Sequence, residues 1–258
     1  MNACSPPSDP CGPPRPRSAP ALWAMVADLE GSRDLADRPA FAADLRRALA
    51  RIRRPSTAGP EGTGPTDPGA ARVLDHPDAG SAWVAPLEAV RGLDELSGVA
   101  RRPGPALRAA FHLTLALWPH RFRFALARGR LDVGVAGGRA SAMDGPAFHR
   151  AADALERARR DDLPCAFAVP EWPAAATAGL ESSLRLHFLW VADWTARQAE
   201  VYRLWRALGV QRDVAERLDV TPSNVSMTLD RAHAHELAAN ERSFPALLDW
   251  LDALAPAP

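Results

Sequence analysis

The sequence predicts an α+β protein in which a sheet domain over residues 21–170 precedes an all-helical domain over residues 171–258. Two observations carry this prediction. Between residues 22 and 170, short apolar or alternating segments typical of strands are interspersed with apolar residues at helical spacing. Beyond Glu171 the strand signals stop and only the helical spacing continues. This order suits an antiparallel or mixed sheet with helices on one face, followed by a separate helical domain.

The strands of the sheet domain are predicted from apolar runs. Residues 22–27 form a short apolar run, which is typical of a buried strand, and residues 165–169 form another. A hairpin is expected over residues 81–85 and 87–93, with Pro86 at a turn or an edge position. A second hairpin is expected to pair residues 121–127, which alternate, with residues 131–136.

Three helices are predicted between these strands. Residues 37–54 carry an apolar stripe at helical spacing, and Pro39 fits the first turn of the helix. Residues 106–117 form a strongly apolar helix that Pro119 stops. A third helix begins at Pro146 and runs to about Arg160.

Two segments lack such patterns. Residues 1–20 are rich in Pro and Ser and are expected to form a disordered leader. Residues 55–80 are rich in Pro, Gly, Thr and Asp and are expected to be a flexible loop.

Composition gives no overall attraction to nucleic acids or to acidic membranes. The formal net charge is zero and every fixed positive charge is an arginine. The three cysteines, Cys4, Cys11 and Cys165, have no zinc-site spacing. The sequence also lacks a signal peptide or a membrane-length apolar run, so we expect a cytoplasmic protein with no membrane partner.

The most specific pattern is a helix-turn-helix at residues 211–231. Val214, Ala215 and Leu218 share one face of a first helix, and Asp219-Val220 ends that helix with Val220 buried at the corner. Thr221 is suited to cap the second helix, and Pro222 to occupy its first position. Val225 and Leu229, four residues apart, point back toward the first helix.

The remaining positions of the second helix are the candidates for contacting DNA. These are Thr221, Ser223, Asn224, Ser226, Met227 and Arg231. The segment from Thr195 to Arg242 contains seven arginines and seven acidic residues, whereas phosphate contacts favour a basic surface. A helix-turn-helix used only for dimerisation or for docking a partner therefore stays an alternative to DNA binding.

Several segments resemble the SatD family of bacterial proteins. The resemblance is carried by Met25-Val-Ala-Asp-Leu-Glu-Gly-Ser-Arg33, by Arg121-Phe-Arg-Phe124 and by Met143-Asp-Gly-Pro-Ala-Phe-His149. It covers residues 22–170 together with the C-terminal helix-turn-helix that the family often has. It implies a ferredoxin-like sheet similar to that of nucleotide cyclases, in which two Asp residues hold a divalent metal against a triphosphate.

The resemblance also implies where a metal would bind. Asp28, at the exit of the first strand, is one candidate Mg²⁺ ligand, and carboxylate oxygens suit that ion. The position of the second family carboxylate is Leu87 here, which leaves Glu88 as a substitute one position along the strand. His149 and Asp153 stand where cyclases offer Asn and Arg to the phosphates.

These departures predict a non-enzymatic protein without a cofactor. The function that we expect is that of a regulator that binds DNA through the helix-turn-helix and acts as a homodimer. The alternative is a nucleotide-binding or residual nucleotide-processing domain that uses Mg²⁺.

Overall fold

The computed structural model describes residues 21–53 and 82–256. The predicted leader 1–20, the predicted loop 55–80, Cys4 and Cys11 lie outside this range. The described part contains five strands and eight helices, and the α+β class is confirmed. In chain order these elements are β1 (Leu22–Leu29), α1 (Arg38–Arg53), β2 (Trp83–Arg91), β3 (Glu95–Ala100), α2 (Pro103–Ala116), β4 (Phe122–Gly129), α3 (Pro146–Arg160), β5 (Cys165–Ala168), α4 (Ala174–Ala192), α5 (Ala196–Leu208), α6 (Gln211–Leu218), α7 (Pro222–Arg231) and α8 (Ala234–Leu254).

The five strands form one mixed sheet in the order β2-β3-β1-β4-β5. The pairs β2-β3, β3-β1 and β1-β4 are antiparallel, whereas the pair β4-β5 is parallel. In the central strand, Met25 lies between Gly98 of β3 and Leu126 of β4. Of the strands predicted from sequence, β1, β4 and β5 are confirmed, as are all three predicted helices.

Helices cover both faces of the sheet, so the prediction of helices on one face was wrong. Trp23 and Met25 of β1 belong to the core that includes α1 and α2, whereas Ala24 and Val26 belong to the core that includes α3. The parallel pairing of β4 and β5 explains this arrangement, because parallel neighbours need a crossover connection, and here α3 is that connection.

The first predicted hairpin was wrong. Residues 83–91 form the single strand β2, which continues through Pro86, and its partner is the unpredicted strand β3. Pro86 is tolerated because β2 is an edge strand whose register shifts between Ala85 and Glu88. Ser97 and Gly98 weaken the strand signal of β3. Gly98 is needed there because a Cβ would lie 2.9 Å from the Trp83 ring.

The second predicted hairpin was also wrong. In place of a strand over residues 131–136, the chain makes an isolated bridge between Val133 and Asp144 and a 3-10 turn over Val135–Gly137. Gly134 directs this path because its φ is 81°, a left-handed conformation that L side chains rarely adopt.

The helices after residue 170 are packed against the sheet domain. Leu184 and Phe188 of α4 and Leu248 of α8 lie in the same core as Trp23 and Met25. Helix α2 is buried on nearly all sides, as expected for a helix that the sheet and other helices enclose. The boundary near residue 170 stays a prediction, since the packing does not divide there. Within residues 21–53 and 82–256, no helix is both long and apolar enough to cross a membrane.

Candidate nucleic-acid interface

Helices α6 and α7 meet at a turn built as the sequence predicts. Helix α6 ends at Leu218, and the next residue, Asp219, has a φ of 53°, a left-handed conformation that turns the chain. The Val220 N–H donates to the Ala215 carbonyl over 3.0 Å. The Thr221 hydroxyl then accepts a hydrogen bond from the Asn224 N–H over 3.2 Å, and Pro222 is the first residue of α7. Both the capping role of Thr221 and the position of Pro222 are therefore confirmed. Val220 is half-buried at the corner rather than fully buried.

The inner faces of α6 and α7 fix the orientation of the pair. Val214 and Ala215 of α6, with Val225 and Leu229 of α7, are buried in a helical core. Tyr202 of α5 and Leu237 of α8 belong to the same core. The four helices thus form one packed unit, and α7 lies at its surface.

A buried polar cluster ties α5 to α8 beneath this unit. The Arg206 guanidinium lies 2.6 Å from Glu241, and the Tyr202 hydroxyl donates to Glu241 over 2.9 Å. Burial raises the pKa of Glu241, although the charge of Arg206 opposes that shift. The pair is almost fully enclosed, so this cluster supports the helical unit and is not accessible to a ligand.

The outer side of α7 presents most of the predicted DNA-contacting residues. Thr221, Ser223, Asn224, Met227 and Arg231 are exposed, whereas Ser226 is half-buried. Ser223, Met227 and Asp230 share the outermost face by helical spacing, with Asn224 and Arg231 along one flank. The Thr221 hydroxyl is engaged in the cap, which makes Thr221 a positioning residue for the first turn.

Some of the arginines around α7 form ion pairs with acidic residues, and others do not. Arg212 lies 3.6 Å from Asp213 and 3.7 Å from Glu216, and Arg197 lies 2.9 Å from Glu200.

Among the described residues, Arg217 of α6 and Arg231 of α7 are exposed and form no ion pair. Sequence reasoning missed Arg217 as a candidate. The sequence carries no signal for it, because Asp213, four residues earlier on α6, stands at ion-pair spacing from Arg217. Only the structure shows that Asp213 lies 3.6 Å from Arg212 instead.

The predicted metal ligand Asp28 is engaged in an ion pair. Its carboxylate lies 3.0 Å from the Arg159 guanidinium of α3. Asp28 belongs to β1 and Glu88 to β2, with β3 between them. The structure therefore does not bring the two candidate ligands together as neighbours.

Glu88, the other candidate ligand, is held by the loop that crosses the sheet. It accepts hydrogen bonds from the Ser141 N–H over 3.1 Å and from the Ser141 hydroxyl over 3.0 Å. Burial raises the pKa of Glu88, but the bonds from Ser141 and the charges of Arg139 and Arg53 outweigh it, so the pKa is below its ordinary value.

The α3 residues at the cyclase phosphate positions lie on the surface. The His149 ring lies 3.2 Å from Asp144, and both His149 and Asp153 are exposed. In the part of the chain that the structure describes, no three His, Cys, Asp or Glu side chains are grouped so that they could hold a metal ion.

The most complete candidate site is therefore the outer side of α7 with the neighbouring Arg217. It combines a capped helix start, exposed polar side chains and two unpaired cations. Comparison with protein-family models, with curated proteins and with solved structures gave no match to this chain.

Proposed function

We propose that this protein is a non-enzymatic DNA-binding regulator that contacts DNA through α7. The observation that carries the proposal is the geometry of the turn between α6 and α7. The Thr221 cap and the buried Val225 and Leu229 fix α7 so that Ser223 and Asn224 project from its first turn into solvent. In a helix-turn-helix, residues at the start of the second helix contact base edges in the major groove.

The chemistry of the exposed residues suits this role. An Asn side chain can make two hydrogen bonds to adenine in the major groove, and a Ser hydroxyl can bond to either donor or acceptor groups of bases. Arg217 and Arg231 are available for phosphate contacts because neither forms an ion pair among the described residues. The N-terminus of α7 also carries the positive end of the helix dipole, which attracts an anion such as a phosphate group.

The sheet domain, in this proposal, has a ferredoxin-like layout and a regulatory or scaffolding role. The antiparallel order β2-β3-β1-β4, with α1 and α2 on one face, supports the ferredoxin-like assignment and the similarity to the SatD family. The contacts of Asp28 with Arg159 and of Glu88 with Ser141 support a non-enzymatic role, because both carboxylates already have partners. A regulator of this kind would act in the cytoplasm and needs no cofactor.

Fluorescence anisotropy on labelled genomic and random duplexes tests the proposal. We expect Asn224→Ala to weaken binding by about 1–3 kcal/mol, roughly 5- to 150-fold, because the substitution removes a base contact and leaves the Asn224 N–H in the cap. Ser182→Ala, an exposed serine on α4 away from α7, is the matched control and should bind like the wild type.

Salt and charge provide the second part of this test. With two unpaired arginines near α7, log K should fall with log salt at a slope of about −2 per protomer. Asp230→Asn should strengthen binding, because Asp230 shares the outer face of α7 and repels phosphate. Absence of binding at low salt, or an Asn224→Ala variant that binds like the wild type, would contradict the proposal. Either result would leave dimerisation or partner docking as the role of these helices.

A further inference from the structure

The C-terminal half of α8 is apolar on its outer face as well as on its inner face. On the inner side, Phe244, Leu248 and Leu251 pack into the core shared with the sheet. The outer side carries six exposed residues without a charge, Ser243, Ala246, Leu247, Trp250, Ala253 and Leu254. A helix that is hydrophobic all round is normally covered on every side.

The two charged residues in this half of α8 are directed to other parts of the protein. Asp249 accepts a hydrogen bond from the Gly104 N–H over 2.7 Å, and Asp252 lies 3.0 Å from the Arg128 guanidinium. The outer face is left with Trp250 at 58% exposure and Leu254 at 64%. Such large apolar side chains, grouped on one stripe, mark an interaction surface.

We propose that this face binds the same face of a second copy of the chain, with the two α8 helices antiparallel. Ser243, Leu247, Trp250 and Leu254 are spaced by four, three and four residues, which is the heptad spacing of helices that pair side by side. In an antiparallel pair, Leu247 of one copy meets Trp250 of the other, and Leu254 meets Ser243. Small Ala246 and Ala253 beside this stripe allow close approach.

The absence of charge on the face favours a copy of the same chain as the occupant. In a two-fold contact each surface meets itself, so a charged residue near the axis faces its own like charge. From Ser243 to Leu254 the exposed positions bring no such repulsion.

The size of the face indicates a weak dimer. From their exposed fractions, the six side chains would bury about 450 Å² per copy, or about 900 Å² in total, which is below the roughly 1,200 Å² of stable interfaces and in the range of weak, transient ones. Association should therefore depend on protein concentration, with monomer and dimer both present.

This dimer would also serve the proposed function. Only this role in DNA binding rests on the proposed function, and the dimer itself does not. Residues 232 and 233 are all that separates α7 from α8. In the antiparallel pair the two α8 starts lie about 44 Å apart, since each is about 22 Å from the two-fold axis. That separation is comparable with the turn of DNA, about 34 Å, that separates the half-sites of a dimeric helix-turn-helix.

Sedimentation velocity of the full chain without DNA tests the dimer. Between about 1 and 300 µM, the wild type should shift from monomer to dimer, as a small interface predicts. Trp250→Glu and Leu254→Glu should each weaken association at least tenfold, because each places a charge in an apolar contact with its own copy. Val133→Glu is the matched control: Val133 is a 59% exposed apolar residue in the loop beyond β4, outside the proposed interface, and its variant should associate like the wild type.

Circular dichroism and thermal melts of each variant separate loss of association from loss of folding. If Trp250→Glu fails to fold, the association of Leu254→Glu tests the proposal. This variant should fold, because Leu254 is exposed at the end of the helix. A wild type that stays monomeric over the whole range, or folded variants that associate as the wild type does, would overturn the proposal. A dimer that binds no DNA would contradict the proposed function and leave this inference standing.

Discussion

At the scale of single residues, the edge of the sheet at β5 is closed by side chains. The Glu181 carboxylate accepts from the Phe167 N–H over 2.8 Å, and the Arg157 guanidinium donates to the Phe167 carbonyl over 3.1 Å. The two side chains also bind each other, with a nitrogen to oxygen distance of 2.6 Å. Because these contacts occupy backbone groups of the edge strand, they replace the hydrogen bonds that another strand would make.

Removal of the Glu181 carboxylate should be strongly destabilising. We expect Glu181→Ala to lower the free energy of unfolding by about 3–5 kcal/mol, because Arg157 loses its partner and the buried Phe167 N–H loses its acceptor. Urea denaturation followed by circular dichroism measures the change. Glu200→Ala, which breaks the exposed pair with Arg197, should cost less than about 1 kcal/mol. Equal losses in both variants would contradict a special role of Glu181.

His187 should make the stability depend on pH. Its ring lies in a core between Phe111 and Phe188, and burial, reinforced by the charge of Arg206, lowers its pKa to about 3. Because folding lowers this pKa, neutral His187 contributes its full share of the free energy of unfolding above the unfolded value of 6.5. That share is lost as the pH falls toward 3.

The free energy of unfolding should therefore fall by about 1.4 kcal/mol for each pH unit below 6.5 through this group. His187→Phe, which keeps a ring between the two phenylalanines, should reduce that slope. His112, whose pKa burial also lowers, stays in the variant and accounts for the remaining slope near pH 6. Urea midpoints between about pH 5 and 8 measure both proteins. An unchanged slope in the variant would contradict the assignment.

At the scale of elements, α7 depends on its N-cap. The Thr221 hydroxyl satisfies the Asn224 N–H, and this bond sets where the helix begins. We expect Thr221→Ala to lower the free energy of unfolding by about 0.5–2 kcal/mol. Thr228→Ala is the control on the same helix, because its hydroxyl binds the Asn224 carbonyl within the helix, and it should change stability by less than about 0.5 kcal/mol. Denaturant titration compares them, and a Thr221→Ala variant as stable as the Thr228→Ala variant would contradict the prediction.

The elements that the sequence predicted are those with a regular local pattern. The apolar run of β1, the stripe of α1 and the cap and proline of α7 depend on residues close in the chain. Strand β3 could not be predicted in this way. Its Ser97 and Gly98 become a buried strand only because Trp83 and Leu87 of β2 pack against that backbone.

The candidate site also has features that local sequence predicts and features that only the folded structure shows. Exposure of Ser223, Asn224 and Met227 follows from helical spacing and was predicted. The ion pair between Asp28 and Arg159 joins residues far apart in the chain, so only the folded structure could show that Asp28 has a partner.

At the scale of the whole molecule, α8 links the candidate DNA-binding unit to the sheet. Its first half contributes Leu237 and Ala238 to the helical core beside α7. Its second half contributes Leu248 to the core of the sheet and holds Gly104 through Asp249 and Arg128 through Asp252. A displacement of α8 against α2 would therefore change the position of α7 relative to the sheet.

The core shared by the sheet, α4 and α8 also determines how the chain can be divided. A fragment that ends near residue 170 would expose the apolar surface of α2, and a fragment that starts there would carry Leu184, Phe188 and Leu248 without their partners. Because this core draws on both halves of the chain, exchanging the helix-turn-helix between proteins would require α8 and its contact surface on α2 to be transferred with it.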